Sequence, residues 1–313
     1  MRLAGPGGIV LAALIVFGAA LAPRAEARDL YGETFVDGVA RTYTVFVPDS
    51  ARDRRDSVPA VIVLHGGRGD GARVRRIMGL DRIAEREGFV AVYPDSLGRS
   101  WNDGRQFRRS RTDDVSFLLR LKRSLVRRGL ADPERVFVAG VSNGGMMAHR
   151  VACEAPGAFA GFASIIANMP VRVIDRCAPD RPVPMMVING TDDRLMPYDG
   201  GGVGFRGRRG AVVSTFETVE FWRAHNGCDR RPGRRMLPNR DAEDGSRVVM
   251  FFSTECRGGP VLHLRVEGGG HRVPGSPVRD LPFIADRALG QQNNDISTAE
   301  VITRFFAGLD RTS

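Results

Sequence analysis

Arg135-Val136-Phe137-Val138-Ala139-Gly140-Val141-Ser142-Asn143-Gly144-Gly145-Met146 decides the fold of this 313-residue chain. The β-branched and aromatic run 135–139 follows the turn signal Asp132-Pro133 and reads as a buried strand. Residues 146–154 read as a helix. Between them, Gly140-Val141-Ser142-Asn143-Gly144 has the G-x-S-x-G pattern that sets a serine on a sharp turn from strand into helix. The flanking small residues let the two elements pass closely, and the serine backbone is forced toward an unfavourable φ that exposes its hydroxyl.

The same alternation extends in both directions. Residues 31–35 and 41–47 alternate in polarity around Asp37-Gly38, predicting an antiparallel hairpin at the start of the sheet. The continuous apolar run 60–64 suits a strand buried on both faces. A helix is expected over 74–86, stopping at Gly88, then a strand at 89–93 and a helix over 114–128 with Gly129 beyond its end. Strands at 161–166 and 185–188, a helix over 214–225, strands at 248–252 and 261–266, and a last helix capped by Ser297 with Glu300 complete the pattern. Alternating β and α elements imply one α/β domain over 28–313, a mostly parallel sheet with helices on both faces.

Arg2, the apolar run from Ile9 to Ala22 and Ala25-Glu26-Ala27 form an export signal over 1–27, with a mature start at Arg28. That run falls short of the ~20 residues a membrane span needs, so the mature chain is expected outside the cytoplasm without stable membrane insertion. Net charge is +10, and only Lys122 among the basic residues is lysine. Arginine runs at 73–76 and 206–209 lack an aromatic platform or a nucleic-acid motif, so no nucleic-acid partner is expected. Four cysteines in an exported chain suggest two disulfides with three possible connectivities, and sequence neighbours offer Cys153 with Cys177 and Cys228 with Cys256.

An activated serine needs a base and a carboxylate that orients it. Five histidines compete for the base. His149 lies seven residues past Ser142 on the same helix, about 10 Å along its axis. His65 sits in a glycine-rich loop, His225 ends a helix, and His263 lies within an apolar strand. His271, after Gly268-Gly269-Gly270 in a late loop, is left as the base. The acid belongs at a strand end between serine and histidine, where Asp192 and Asp193 both stand and spacing does not separate them. For an oxyanion, Asn143 supplies one backbone N–H, and the second comes from His65-Gly66-Gly67-Arg68-Gly69, with Gly67 preferred over Arg68.

With these residues placed, the chain resembles the secreted polyhydroxybutyrate depolymerase and feruloyl esterase family of α/β-hydrolases. The likeness rests on Leu64-His65-Gly66, Tyr93-Pro94-Asp95, Ser100-Trp101-Asn102-Asp103-Gly104-Arg105, Asp113-Asp114-Val115, Ser142-Asn143-Gly144-Gly145-Met146, Gly190-Thr191-Asp192-Asp193, Pro197-Tyr198, Asn226-Gly227-Cys228 and Gly269-Gly270-His271. It implies the α/β-hydrolase fold, a Ser142, Asp193 and His271 triad, and a Cys228 to Cys256 pairing. It further implies a serine esterase that works through an acyl-enzyme on small or oligomeric esters, with no metal or organic cofactor. A serine peptidase of the same fold and an inactive binding protein on this scaffold are the alternatives. Two departures bear on substrate: Arg272-Val273 replaces the family's Thr-Trp after the histidine, and Asn189 stands where the family often has histidine. Trp101 is a candidate wall of the substrate pocket, or else a core residue.

Overall fold

Ala60-Val61-Ile62-Val63-Leu64 is buried at every position because its side chains alternate between two cores, one on each face of a sheet. Ala60, Ile62 and Leu64 join one apolar cluster while Val61 and Val63 join the other. The computed structural model describes residues 28–52, 57–105, 112–228, 231–278 and 287–309. The export-signal reading of 1–27 lies outside them.

In chain order the strands are β1 (Arg28–Val36), β2 (Val39–Val47), β3 (Ala60–Leu64), β4 (Val90–Pro94), β5 (Val136–Val141), β6 (Gly161–Ile165), β7 (Met185–Gly190), the short β8 (Gly201–Gly202) and β9 (Ala211–Val212), then β10 (Gly233–Met236), β11 (Arg247–Ser253) and β12 (Val261–Glu267). The helices are α1 (Asp49–Arg52), α2 (Gly71–Met78), α3 (Asp81–Glu87), α4 (Asp114–Arg127), α5 (Asn143–Glu154), α6 (Val171–Ile174), α7 (Thr215–His225) and α8 (Thr298–Leu309). Ten strands form one sheet in the order β1-β2-β4-β3-β5-β6-β7-β12-β11-β10. Its centre, from β4 through β12, is parallel, and antiparallel strands close both ends. Apolar residues of α4, α5 and α7 cover one face, and those of α2, α3 and α8 cover the other. This is the expected α/β-hydrolase architecture, with the N-terminal hairpin present as β1 and β2.

Several boundaries differ from the sequence expectation for local reasons. The helix expected over 74–86 is two, because Gly79 takes a left-handed conformation (φ 58°) that ends α2, and the chain restarts at Asp81. Helix α5 begins at Asn143 rather than 146, directly after the serine. The weakly patterned edge strand β10, Gly-Arg-Arg-Met, has no counterpart in the sequence reading because its side chains are largely exposed.

The cysteines pair as neighbours, Cys153 with Cys177 and Cys228 with Cys256. The first ties the last turn of α5 to the segment after α6, and the second ties the end of α7 to the connection between β11 and β12. Each closes a loop of 24 or 28 residues, worth on the order of 3 kcal/mol in the chain-entropy account. Replacing Cys228 and Cys256 together by serine is therefore expected to lower the thermal midpoint by roughly 6–12 °C. An unchanged midpoint in differential scanning calorimetry would remove this bond from the list of stabilising contacts.

Candidate active site

Ser142 sits at φ 55° and ψ −114°, the strained turn its flanking glycines permit. A Cβ on Gly140 would lie 2.1 Å from the Gly144 carbonyl oxygen, and one on Gly144 would lie 2.3 Å from the Leu64 carbonyl oxygen. No side chain fits at either place. The strained residue is held from both sides, since its N–H donates to the Ile165 carbonyl at 2.8 Å and its carbonyl accepts from the Met146 N–H at 3.0 Å.

His271 Nε2 lies 2.9 Å from Ser142 Oγ, and its Nδ1 lies 2.6 Å from Asp193 Oδ2. A carboxylate can only accept, so Nδ1–H donates to Asp193 and Nε2 is left to accept the serine proton. Asp193 follows the end of β7, with its side chain only 2% exposed. Its other oxygen accepts the Leu195 and Met196 N–H groups at 2.8 Å each. Asp192 faces solvent and takes the Thr191 hydroxyl instead. The structure thus brings Asp193, rather than its neighbour, to the histidine. His271 is itself placed by its N–H, which donates to the Leu289 carbonyl at 2.6 Å.

The loop after β3 lies against the serine turn. A Cβ on Gly67 would come 3.7 Å from the Asn143 Cβ, and one on Gly66 would come 3.5 Å from the Ser142 Cβ. The Arg68 N–H donates to the Arg99 carbonyl at 2.7 Å, which commits it within the loop. Asn143 is the first residue of α5, where a backbone N–H has no partner within the helix. His65 braces the loop, because the Ser96 N–H donates to its Nε2 at 3.1 Å and its Nδ1 lies 2.8 Å from the Gly66 carbonyl.

The Asn143 side chain is fixed by a network that the sequence reading did not assign. Its Oδ1 accepts the Trp101 N–H at 2.7 Å, and its Nδ2 donates to Asp103 Oδ2 at 2.5 Å and the Trp101 carbonyl at 3.2 Å. Asp103 in turn pairs with Arg105 at 2.7 Å, both side chains under 10% exposed. The Asn102 N–H donates to Asp114 at 2.6 Å, and Asp114 pairs with Arg41 at 2.7 Å in full burial. Trp101, 3% exposed, donates its indole N–H to the His65 carbonyl at 2.9 Å and also lines the cleft. The only sequence signal for this network is the run of polar and aromatic residues at 100–105.

The remaining histidines are structural in their contacts. His149 accepts the Trp222 indole N–H at 3.1 Å, and burial pushes its pKa down to about 3. His263 stacks on Phe251 and is also pushed down to about 3, first by burial and then by Arg265. His225 lies 2.8 Å from the Arg181 carbonyl. Ser142 and His271 open on a cleft of about 460 Å³. Met146, Met196 and Val203 give it an apolar wall, and Arg272 with Val273 lines it beside His271.

Residues 41–169 match the family model of esterase PHB depolymerases. "Putative esterase NocK" of Nocardia uniformis subsp. tsuyamanensis is 29% identical over 297 residues, covering 91% of this chain and 85% of that protein. Feruloyl esterase B of Piromyces equi is 26% identical over 198 residues, 61% of this chain, and the aligned part is only 35% of that protein. Acetyl xylan esterase from Aspergillus awamori superposes with a TM-score of 0.58 at 14% identity, covering 89% of this chain and 99% of its own. The likeness to the polyhydroxybutyrate depolymerase and feruloyl esterase family holds, as does the fold it implied.

Two buried histidines make a prediction about pH. Between about pH 6.5 and 3 the unfolded chain binds protons that native His149 and His263 refuse, so their contribution is full above pH 6.5 and is lost as pH falls toward 3. Urea unfolding at pH 7.5, 6 and 5 is expected to show falling stability. His263→Phe should flatten the slope by roughly 1.4 kcal/mol per pH unit in that window. Identical slopes for the two proteins would mean His263 titrates normally in the folded state.

Proposed function

We propose that this chain is an exported serine esterase that cleaves carboxylic esters through an acyl-enzyme. The observation that carries the reading is the chain of hydrogen bonds from Ser142 Oγ to His271 Nε2 at 2.9 Å and from His271 Nδ1 to Asp193 at 2.6 Å, at the mouth of a cleft. Ser142 Oγ attacks the ester carbonyl while His271 takes its proton, and Asp193 balances the imidazolium. The carbonyl oxygen becomes an oxyanion facing the Asn143 and Gly67 N–H groups. His271 then protonates the departing alcohol, leaving the acyl group on Ser142. Water, giving its proton to His271, attacks that acyl group, and collapse returns the proton to Ser142 with release of the acid.

The cleft of about 460 Å³ suits a small ester or the end of a soluble oligomer. Hydroxybutyrate oligomers, feruloylated or acetylated sugars and short-chain esters all belong to that range. Export fits the signal read at 1–27 and the two disulfides. Among the described residues no helix is long and apolar enough to cross a membrane.

Purified residues 28–313 should hydrolyse p-nitrophenyl acetate and butyrate. Ser142→Ala should lower kcat on the order of 10⁴-fold or more. A wild type no faster than this variant ends the esterase reading. Asp193→Asn is expected to cost on the order of 10³–10⁴-fold, against less than about twofold for Asp192→Asn. The reverse order would reassign the acid. Asp103→Asn, which weakens the hold on Asn143 without touching the reacting atoms, should reduce kcat roughly tenfold with KM nearly unchanged. A KM effect alone would place Asp103 in substrate binding rather than in positioning.

A further inference from the structure

The cleft is far more cationic than the chain that forms it. The whole chain carries 46 basic and 36 acidic residues. Among the described residues, the cleft lining holds six arginines and one carboxylate, Asp103, which Arg105 already neutralises at 2.7 Å. Two further described carboxylates close by are likewise committed. Asp193 holds His271 and two backbone amides, and Asp70 caps α2 through the Arg73 N–H while lying 3.6 Å from Arg99.

Helix α2 carries its own internal control. Arg75 donates to both oxygens of Asp29 at 2.7 Å and to Asp81 at 2.5 Å, so its charge is matched twice. Arg73 and Arg76, which line the cleft, form no ion pair among the described residues. Nor does Arg68, which lies next to Gly67 in the loop leading to α2. A helix whose one arginine finds two carboxylates, while its cleft-side arginines find none among the described residues, concentrates unmatched positive charge in the cleft that Ser142 lines. Guanidinium groups match a carboxylate through paired N–H donors, and a cleft of one sign raises the local concentration of the opposite ion.

We infer that the ester this site takes carries a second, ionised carboxylate, held by the guanidinium groups of Arg68, Arg73 and Arg76. The inference rests on the esterase reading and narrows its substrate class. The carboxylate could belong to the acyl part or to the alcohol part of the ester, as in an oligomer of hydroxy acids with a free end. All three side chains are exposed, so solvent screens them and the discrimination should be moderate.

Two matched pairs of substrates test this at pH 7.5. Mono-p-nitrophenyl adipate against its methyl-capped diester places the carboxylate on the acyl side. A 3-hydroxybutyrate dimer against its methyl ester places it on the alcohol side. In at least one pair the free acid should have a kcat/KM about tenfold above the capped ester, falling as salt is raised. The pair that responds identifies the side. Arg73→Gln with Arg76→Gln should abolish the preference while leaving kcat/KM for the capped ester within about twofold, which also shows the variant to be folded. No preference in either pair, or a preference for the capped esters, overturns the inference and leaves the esterase reading intact. A double variant that keeps the preference, or that slows capped and free esters alike, overturns the role given to these arginines. Failure to cleave any of the four removes the esterase reading, and this inference with it.

Discussion

The carbonyl oxygen of Gly144 occupies the space where a side chain on Gly140 would begin, and the candidate site is arranged around that contact. Backbone touching backbone brings the end of β5 and the start of α5 closer than any other residue pair would allow. The same glycine faces the Leu64 carbonyl, so the crossing also draws in the loop that follows β3. Strain of about 1–3 kcal/mol at Ser142 is the consequence. It persists because the neighbouring strand and the helix both bond to the serine's backbone. The hydroxyl, the N-terminus of α5 and the glycine loop therefore meet as a result of packing, before any chemistry is considered.

Charge buried behind this crossing gives it rigidity. Asp103 and Asp114 stand eleven positions apart around the 100–105 loop and hold it from two directions, one through the Asn143 side chain and one through the Asn102 N–H. Each has an arginine partner, Arg105 and Arg41, and the Arg41 guanidinium lies 4.0 Å from the Phe117 ring centre. Buried ion pairs are poor sources of net stability, because desolvation offsets most of their attraction. What they provide here is geometry, since a loop tied at Trp101, Asn102 and Asp103 cannot drift relative to the first residue of α5.

Much of this was legible in the sequence because it rests on local signals. Strands β3 and β5 are short apolar runs, the serine carries glycines at both flanks, and His271 is the histidine left once helix and strand positions set aside His149, His225 and His263 and the early glycine-rich loop accounts for His65. The choice between Asp192 and Asp193 was not legible from spacing. It depends on which carboxylate receives the Leu195 and Met196 amides, and only the family resemblance separated them beforehand. The break between α2 and α3 was hidden because apolar periodicity continues across Gly79, and Asp103 and Asp114 were hidden because a buried charge looks like a surface charge until its partner is known. Arg41 and Asp114 are 73 residues apart, and no pattern in the chain joins them.

The separation of Ser142, Asp193 and His271 along the chain has a bearing on how the molecule comes into being. Ser142 and His271 are 129 residues apart, and Asp193 and His271 are 78 apart, on strand ends that meet only across the finished parallel centre of the sheet. Parallel pairing of distant segments must meet its loop-closure entropy before contacts reward it, so such folds assemble late and slowly. Nothing resembling the site exists in a half-made chain. The arrangement of Ser142, Asp193 and His271 is complete only once β12 has docked beside β7, so its appearance during refolding would report completion of the sheet rather than the formation of any one part.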